Sequence, residues 1–195
     1  MTIYPARSLV ILTGLPGAGK TTLLRRLYDL DGTESAPVTV GAVTVIDSQQ
    51  SRSRWAGRPR WAPKPVRTGL VFATHMWRIR SGVRAGGPVI AHNRGCGPFV
   101  LRAFAWLARR HGAQLHLLLL DAPPEVALAG QYARGRVAAP TTFTRHQRHW
   151  RALLERVRAG DPTPAASARV LDREDADRLE VIHFGDHRGL AVPGG

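Results

Sequence analysis

The stretch Gly14-Leu-Pro-Gly-Ala-Gly19-Lys20-Thr21 has the spacing G-x-x-x-x-G-K-[ST]. Glycine at these positions lets successive backbone N–H groups turn inward and form a nest for phosphate oxygens. The N-terminus of a following helix adds partial positive charge. Lys20 would reach the β- and γ-phosphates, and the Thr21 hydroxyl would ligate Mg²⁺. Gly14, Pro16, Gly17, Ala18, Gly19, Lys20, Thr21 and Thr22 are therefore the expected phosphate cradle. Its expected ligand is ATP, with GTP left open. Only Lys20 and Lys64 among the 28 basic residues are lysine. In a chain that otherwise uses arginine, this position carries the compact ammonium that a phosphate loop needs.

Other chemistry-bearing residues are sparser. Asp47 follows the β-branched run Gly41–Ile46, so its carboxylate stands at a strand end, where an α/β sheet binds ligands. Three roles are open to it: general base, outer-sphere partner of Mg²⁺, or turn former. Asp121 follows the apolar run Leu117–Leu120, but the prolines after it favour a plain helix start. His146 and His149 lack a third ligand and do not make a metal site. Cys96 has no base beside it and reads as a structural thiol. Ser51-Arg-Ser-Arg-Trp55 and Arg58-Pro-Arg-Trp61 interleave arginine with tryptophan. They suit a single nucleic-acid strand, a basic wall around a small anionic or sugar-like acceptor, or a surface loop tucked onto the next helix. Arg52 is the arginine expected to bind the acceptor.

The elements that must position these residues alternate along the chain. Strands are expected at 8–13, 41–47, 89–91, 114–121, 168–171 and 180–184, from β-branched or continuous apolar runs. Helices are expected at about 21–30, 70–84, 98–110, 124–132 and 142–158, where apolar residues recur at helical spacing. Residues 48–68 break the rhythm and read as a loop. The alternation argues for a mainly parallel sheet of about five strands with helices on both faces. One domain over residues 1–185 is expected, with a frayed tail at 186–195.

The 195 residues are 44% hydrophobic and 22% charged, enough for one packed core. No run approaches membrane-spanning length, no secretory pattern opens the chain, and one cysteine rules out a disulfide framework. The expectation is a soluble, cytoplasmic protein without a membrane partner. The formal net charge of +14 would attract polyanions, nucleic acid included, although arginine-rich codon usage accounts for it equally well.

Taken together, Gly14–Thr21, Asp47 and Leu120-Asp-Ala-Pro-Pro-Glu125 leading to Tyr132-Ala-Arg-Gly-Arg136 resemble the small P-loop kinases. The closest likeness is to the zeta-toxin, chloramphenicol-phosphotransferase and polynucleotide 5′-hydroxyl kinase group, with gluconate kinase more distant. The resemblance spans residues 7–184 and implies a P-loop three-layer α/β sandwich with a small lid near 133–145. It implies Lys20 and Asp47 as catalytic residues, with Asp47 accepting the proton of an attacking hydroxyl. It also implies Arg134 and Arg136 as lid arginines that stabilise the phosphoryl group in flight. The third expected strand ends in His92-Asn93, where many nucleotide kinases place an acid, and this departure leaves Thr21 and water as the expected magnesium ligands.

The reading that follows is an ATP-dependent, Mg²⁺-requiring kinase acting on a small-molecule hydroxyl. A nucleic-acid 5′-hydroxyl kinase and a non-enzymatic nucleotide-dependent regulator are the alternatives. A switch GTPase would need an N-K-x-D motif, and a remodelling ATPase two acids at a strand end; neither is present.

Overall fold

The computed structural model describes residues 2–56, 61, 63–93, 97–132 and 140–185. Its strands are β1 (Thr2–Tyr4), β2 (Ser8–Gly14), β3 (Val38–Val40), β4 (Val43–Ile46), β5 (Val89–His92), β6 (Gln114–Leu120), β7 (Ser167–Leu171) and β8 (Ile182–Phe184). Its helices are α1 (Lys20–Tyr28), α2 (Ser48–Arg54), α3 (Lys64–Arg84), α4 (Pro98–Arg110), α5 (Pro124–Tyr132), α6 (Pro140–Arg158) and α7 (Arg173–Arg178).

Six strands form one sheet in the order β3-β4-β5-β2-β6-β7. Five of them are parallel, and only β3, hairpinned onto β4, runs the other way. β2 lies between β5 and β6, and all seven of its residues are buried. A strand covered on both faces has no reason to alternate, which explains the continuous apolar runs of β2 and β6. The core is the sheet's aliphatic interior packed against Leu24, Ile79, Phe104 and Trp150 from helices on its two faces.

Most expected elements are present, and the differences have physical causes. Residues 48–54 are helical, not loop. Asp47 is the N-cap, and its carboxylate accepts from the Gln49 amide while the Gln50 side chain answers to the Asp47 amide. This reciprocal cap starts a polar helix that has no apolar stripe to announce it. α3 begins six residues before its apolar periodicity, with proline in its first turn. Residues 180–184 yield β8, which pairs with β1 in a separate two-stranded sheet and not with the main one. The first part of the expected strand at 41–47 is spent on the turn between β3 and β4, where Gly41 has φ 59°. Between the last two expected strands the chain forms the short helix α7, capped by Asp172. No described helix is long and apolar enough to cross a membrane. Residues 133–139 and the tail at 186–195 lie outside the described residues.

Candidate active site

All five parallel strands end on one edge of the sheet, and the candidate residues gather there because β2, β4 and β5 share a register. The pairing sets Leu12 opposite His92 and Ile46 opposite Ala91. The next residue after Ile46 is Asp47, so it leaves the sheet beside His92. β2 meanwhile runs directly into the phosphate loop.

The loop has the shape its sequence requires. Gly17 and Gly19 have φ of 99° and 96°, in the region that L side chains avoid. A methyl group on Gly17 would also stand 1.8 Å from the Ala127 carbonyl oxygen. Gly19 caps α1 without a side chain, so the first amides of that helix have no side-chain competitor for an anion. Lys20 is 4% exposed. Its ammonium donates to the Gly14 and Leu15 carbonyls at 2.8 and 2.7 Å, curled over the loop it would serve.

Beside it, Asp47, Ser48, His92 and Thr21 form one polar cluster. The Asp47 carboxylate lies 2.9 Å from His92 Nδ1 and accepts from the Gln49 amide at 2.8 Å. The Ser48 hydroxyl is 3.4 Å from both Asp47 and His92, and the Thr21 hydroxyl is 3.4 Å from His92 Nδ1. Burial alone would raise the Asp47 pKa. The hydrogen bond and charge from His92, with the Gln49 amide and the Thr21 hydroxyl, outweigh it and hold the carboxyl well below its ordinary range. The pKa of His75, buried close by on α3, is lowered too, to about 4, by desolvation and then the charge of His92, which keeps its ring neutral.

Among the described residues no group of three or more His, Cys, Asp or Glu could hold a metal ion. A divalent cation here would need the Thr21 hydroxyl, phosphate oxygens and water, with Asp47 reached through water. That donor set is all oxygen and suits magnesium.

Two cavities flank the loop. One, of about 650 Å³, lies on the β4–β5 side and is reached by Ser48, Arg52, Trp55, His75, Asn93 and Arg145. The other, of about 810 Å³, lies on the β6–β7 side and is reached by Leu15, Asp121, Trp150, Arg151 and Asp172.

The expected residues are therefore divided among several places. Lys20, Thr21 and Asp47 come together, and Arg52 lines the first cavity. Arg134 and Arg136, like Arg58, Arg60 and Cys96, lie outside the described residues. Asp121 is turned toward Arg158, 2.9 Å away, on the far side of β2 from Asp47. Trp55 donates from its indole nitrogen to Thr74 on α3 at 2.8 Å, as expected of a tucked ring, but Trp61 is 82% exposed. Sequence reasoning passed over His75, Lys64 and Arg67, and saw His92 only as a missing acid. The signal for His92 was the strand register, which places it level with Asp47.

Comparison with known proteins follows the same lines. A family model described as an AAA domain matches residues 9–159. The chain is similar to one from the Pnkp1/Rnl/Hen1 RNA repair complex, at 15% identity and a TM-score of 0.59. That match covers 78% of this chain and 47% of the other, so the chain spans about half of that relative. It is similar to the Deinococcus radiodurans tunicamycin resistance protein, at 15% identity and a TM-score of 0.50, covering 75% of this chain and 80% of that one. It is also similar to a chain of the PezAT chromosomal toxin–antitoxin system of Streptococcus pneumoniae. There the identity is 16% and the TM-score 0.55, covering 90% of this chain and 71% of that one. At such identities the likeness is one of fold. The search of curated proteins gave no match.

Proposed function

The chain belongs to the AAA-domain family whose model covers residues 9–159, a family of P-loop kinases, and on that premise we propose that it transfers the γ-phosphate of ATP to a hydroxyl of a small molecule. The observation that carries the reading is the approach of Asp47 to the phosphate loop from the side opposite the second cavity. In-line transfer needs the attacking and leaving oxygens on opposite sides of the γ-phosphorus. With the triphosphate in the loop, the nucleoside extends toward the β6–β7 cavity and the acceptor enters from the β4–β5 cavity.

In the reaction the acceptor oxygen bonds to the γ-phosphorus and the bond to the bridging oxygen of ADP breaks. The acceptor proton passes to the Asp47 carboxylate. Asp47 is ionised throughout the neutral range, because His92 and the Gln49 amide hold its pKa down. A weak base is adequate where the transition state is loose and the hydroxyl proton is lost late. Lys20 leaves the Gly14 and Leu15 carbonyls for the phosphate oxygens, an exchange of neutral acceptors for charged ones. Magnesium, when bound at Thr21, would neutralise charge on the β- and γ-oxygens. Arg134 and Arg136 are proposed to close over the transferred group.

The net charge of +14 favours a second reading, a kinase acting on 5′-hydroxyl ends of nucleic acid. A transfer assay with γ-labelled ATP against pooled metabolites and 5′-hydroxyl oligonucleotides separates the two. Label in a small molecule, abolished by Asp47→Asn, supports the first. Label in oligonucleotide only, with affinity falling steeply as salt rises, supports the second. If ATP is not bound in the presence of magnesium, both are wrong.

A further inference from the structure

The two cavities differ in charge, and the difference points to the acceptor. We infer that the β4–β5 cavity takes a hydroxyl acceptor carrying a negative charge, phosphate or carboxylate, on a flat or apolar body. This inference rests on the phosphotransfer reading above and adds the substrate class.

Four cations reach the cavity from three separate helices: Arg52 from α2, Lys64 and Arg67 from α3, and Arg145 from α6. No carboxylate is among the described residues that line it. The β6–β7 cavity is built differently, with Asp121, Glu155, Asp172 and Glu174 set among Arg151, Arg158 and Arg173. Arginine-rich composition by itself would make both cavities basic. Only one is, so its charge belongs to the site. Like charges converging on one space repel one another, and an anion between them relieves that repulsion.

The charge is also graded along the cavity. Its inner end, next to Asp47, is formed by buried Ser48, His75 and Asn93. Its mouth carries Lys64, Arg67 and Arg145, all exposed. Trp55, Val71 and Phe72 give the same cavity an apolar wall, with the Trp55 ring fixed by its hydrogen bond to Thr74. An acceptor matching this gradient presents its hydroxyl inward and its anionic group outward, with a ring or apolar stretch between. The volume of about 650 Å³ lies within the small-ligand range.

The test uses probe pairs of which one member carries the anionic group and the other does not. Adenosine 3′-monophosphate is compared with adenosine, and 4-(hydroxymethyl)benzoate with 4-(hydroxymethyl)benzamide. The first pair presents phosphate and the second carboxylate. For each, kcat/KM is read as label transferred from γ-labelled ATP. In at least one pair the anionic member is expected to be favoured tenfold or more. The double variant Arg67→Glu/Arg145→Glu should abolish that preference, with Arg67→Gln/Arg145→Gln as a milder version if charge reversal prevents folding, judged by thermal melts. Equal use of both members in both pairs overturns the inference. So does transfer to neither pair, or a preference that survives in the folded variants. A 5′-hydroxyl hexathymidylate used more than a hundredfold better than adenosine 3′-monophosphate overturns it in favour of a nucleic-acid acceptor. Lys20-dependent release of labelled phosphate to water distinguishes the two failures: it persists if only the acceptor class is wrong, and is absent if the phosphotransfer reading itself fails.

Discussion

At the scale of single residues, Asp47 has two jobs that a substitution can separate. It caps α2 and it faces the phosphate loop. Asparagine caps a helix as well as aspartate does but cannot accept a proton. Asp47→Asn is therefore expected to lower kcat by about 10²- to 10⁴-fold while the α2 cap and ATP affinity hold. Asp47→Ala should show the same catalytic loss and in addition lose about 1 kcal/mol of stability, because the cap is gone. If Asp47→Asn transfers phosphate normally, the general-base role is excluded. Lys20→Ala removes the buried ammonium from the loop, and calorimetry with magnesium present should show ATP affinity falling by about 10- to 100-fold.

At the scale of elements, the phosphate loop depends on backbone that only glycine supplies. Gly17 combines a positive φ with an approach to the Ala127 carbonyl that leaves no room for a methyl group. Gly17→Ala must shift either the loop or α5. It is expected to cost about 1–3 kcal/mol, seen as a fall in melting temperature, and to reduce ATP affinity at the same time. Gly69→Ala is the contrasting change. The added methyl would meet nothing within 4 Å and the helical backbone accepts it. That variant should be neutral or stabilising by up to about 1 kcal/mol, and loss of stability there would count against the α3 described here.

At the scale of the whole molecule, buried histidine links stability to pH. The His75 pKa is lowered to about 4 in the folded state, chiefly by desolvation. Between that value and its ordinary value of about 6.5 the unfolded chain binds a proton that the folded chain does not. Stability therefore falls as the pH is lowered through this window, by roughly 2–3 kcal/mol between pH 7 and pH 4.5 for the one group. Denaturant titrations at the two pH values should show this loss, and His75→Leu should remove most of it. Equal pH dependence in both proteins would mean that His75 is not the group responsible.

The sequence by itself determined the phosphate loop and the layered α/β fold. Both are local: glycine spacing dictates dihedrals over eight residues, and apolar periodicity dictates which stretches fold against a core. Asp47 was legible as a strand-end carboxylate for the same reason. Only the tertiary structure decided what surrounds it. His92 becomes its partner through the alignment of two strands 45 residues apart, and Arg52, Lys64, Arg67 and Arg145 become one wall through the packing of three helices. Such meetings depend on long-range register and packing, in which many different residues would serve equally well, so no short pattern in the chain records them. α2 escaped notice for a related reason. Its cap is written in Asp47 and Gln50, but a polar helix without an apolar face resembles a loop until its neighbours give it a place.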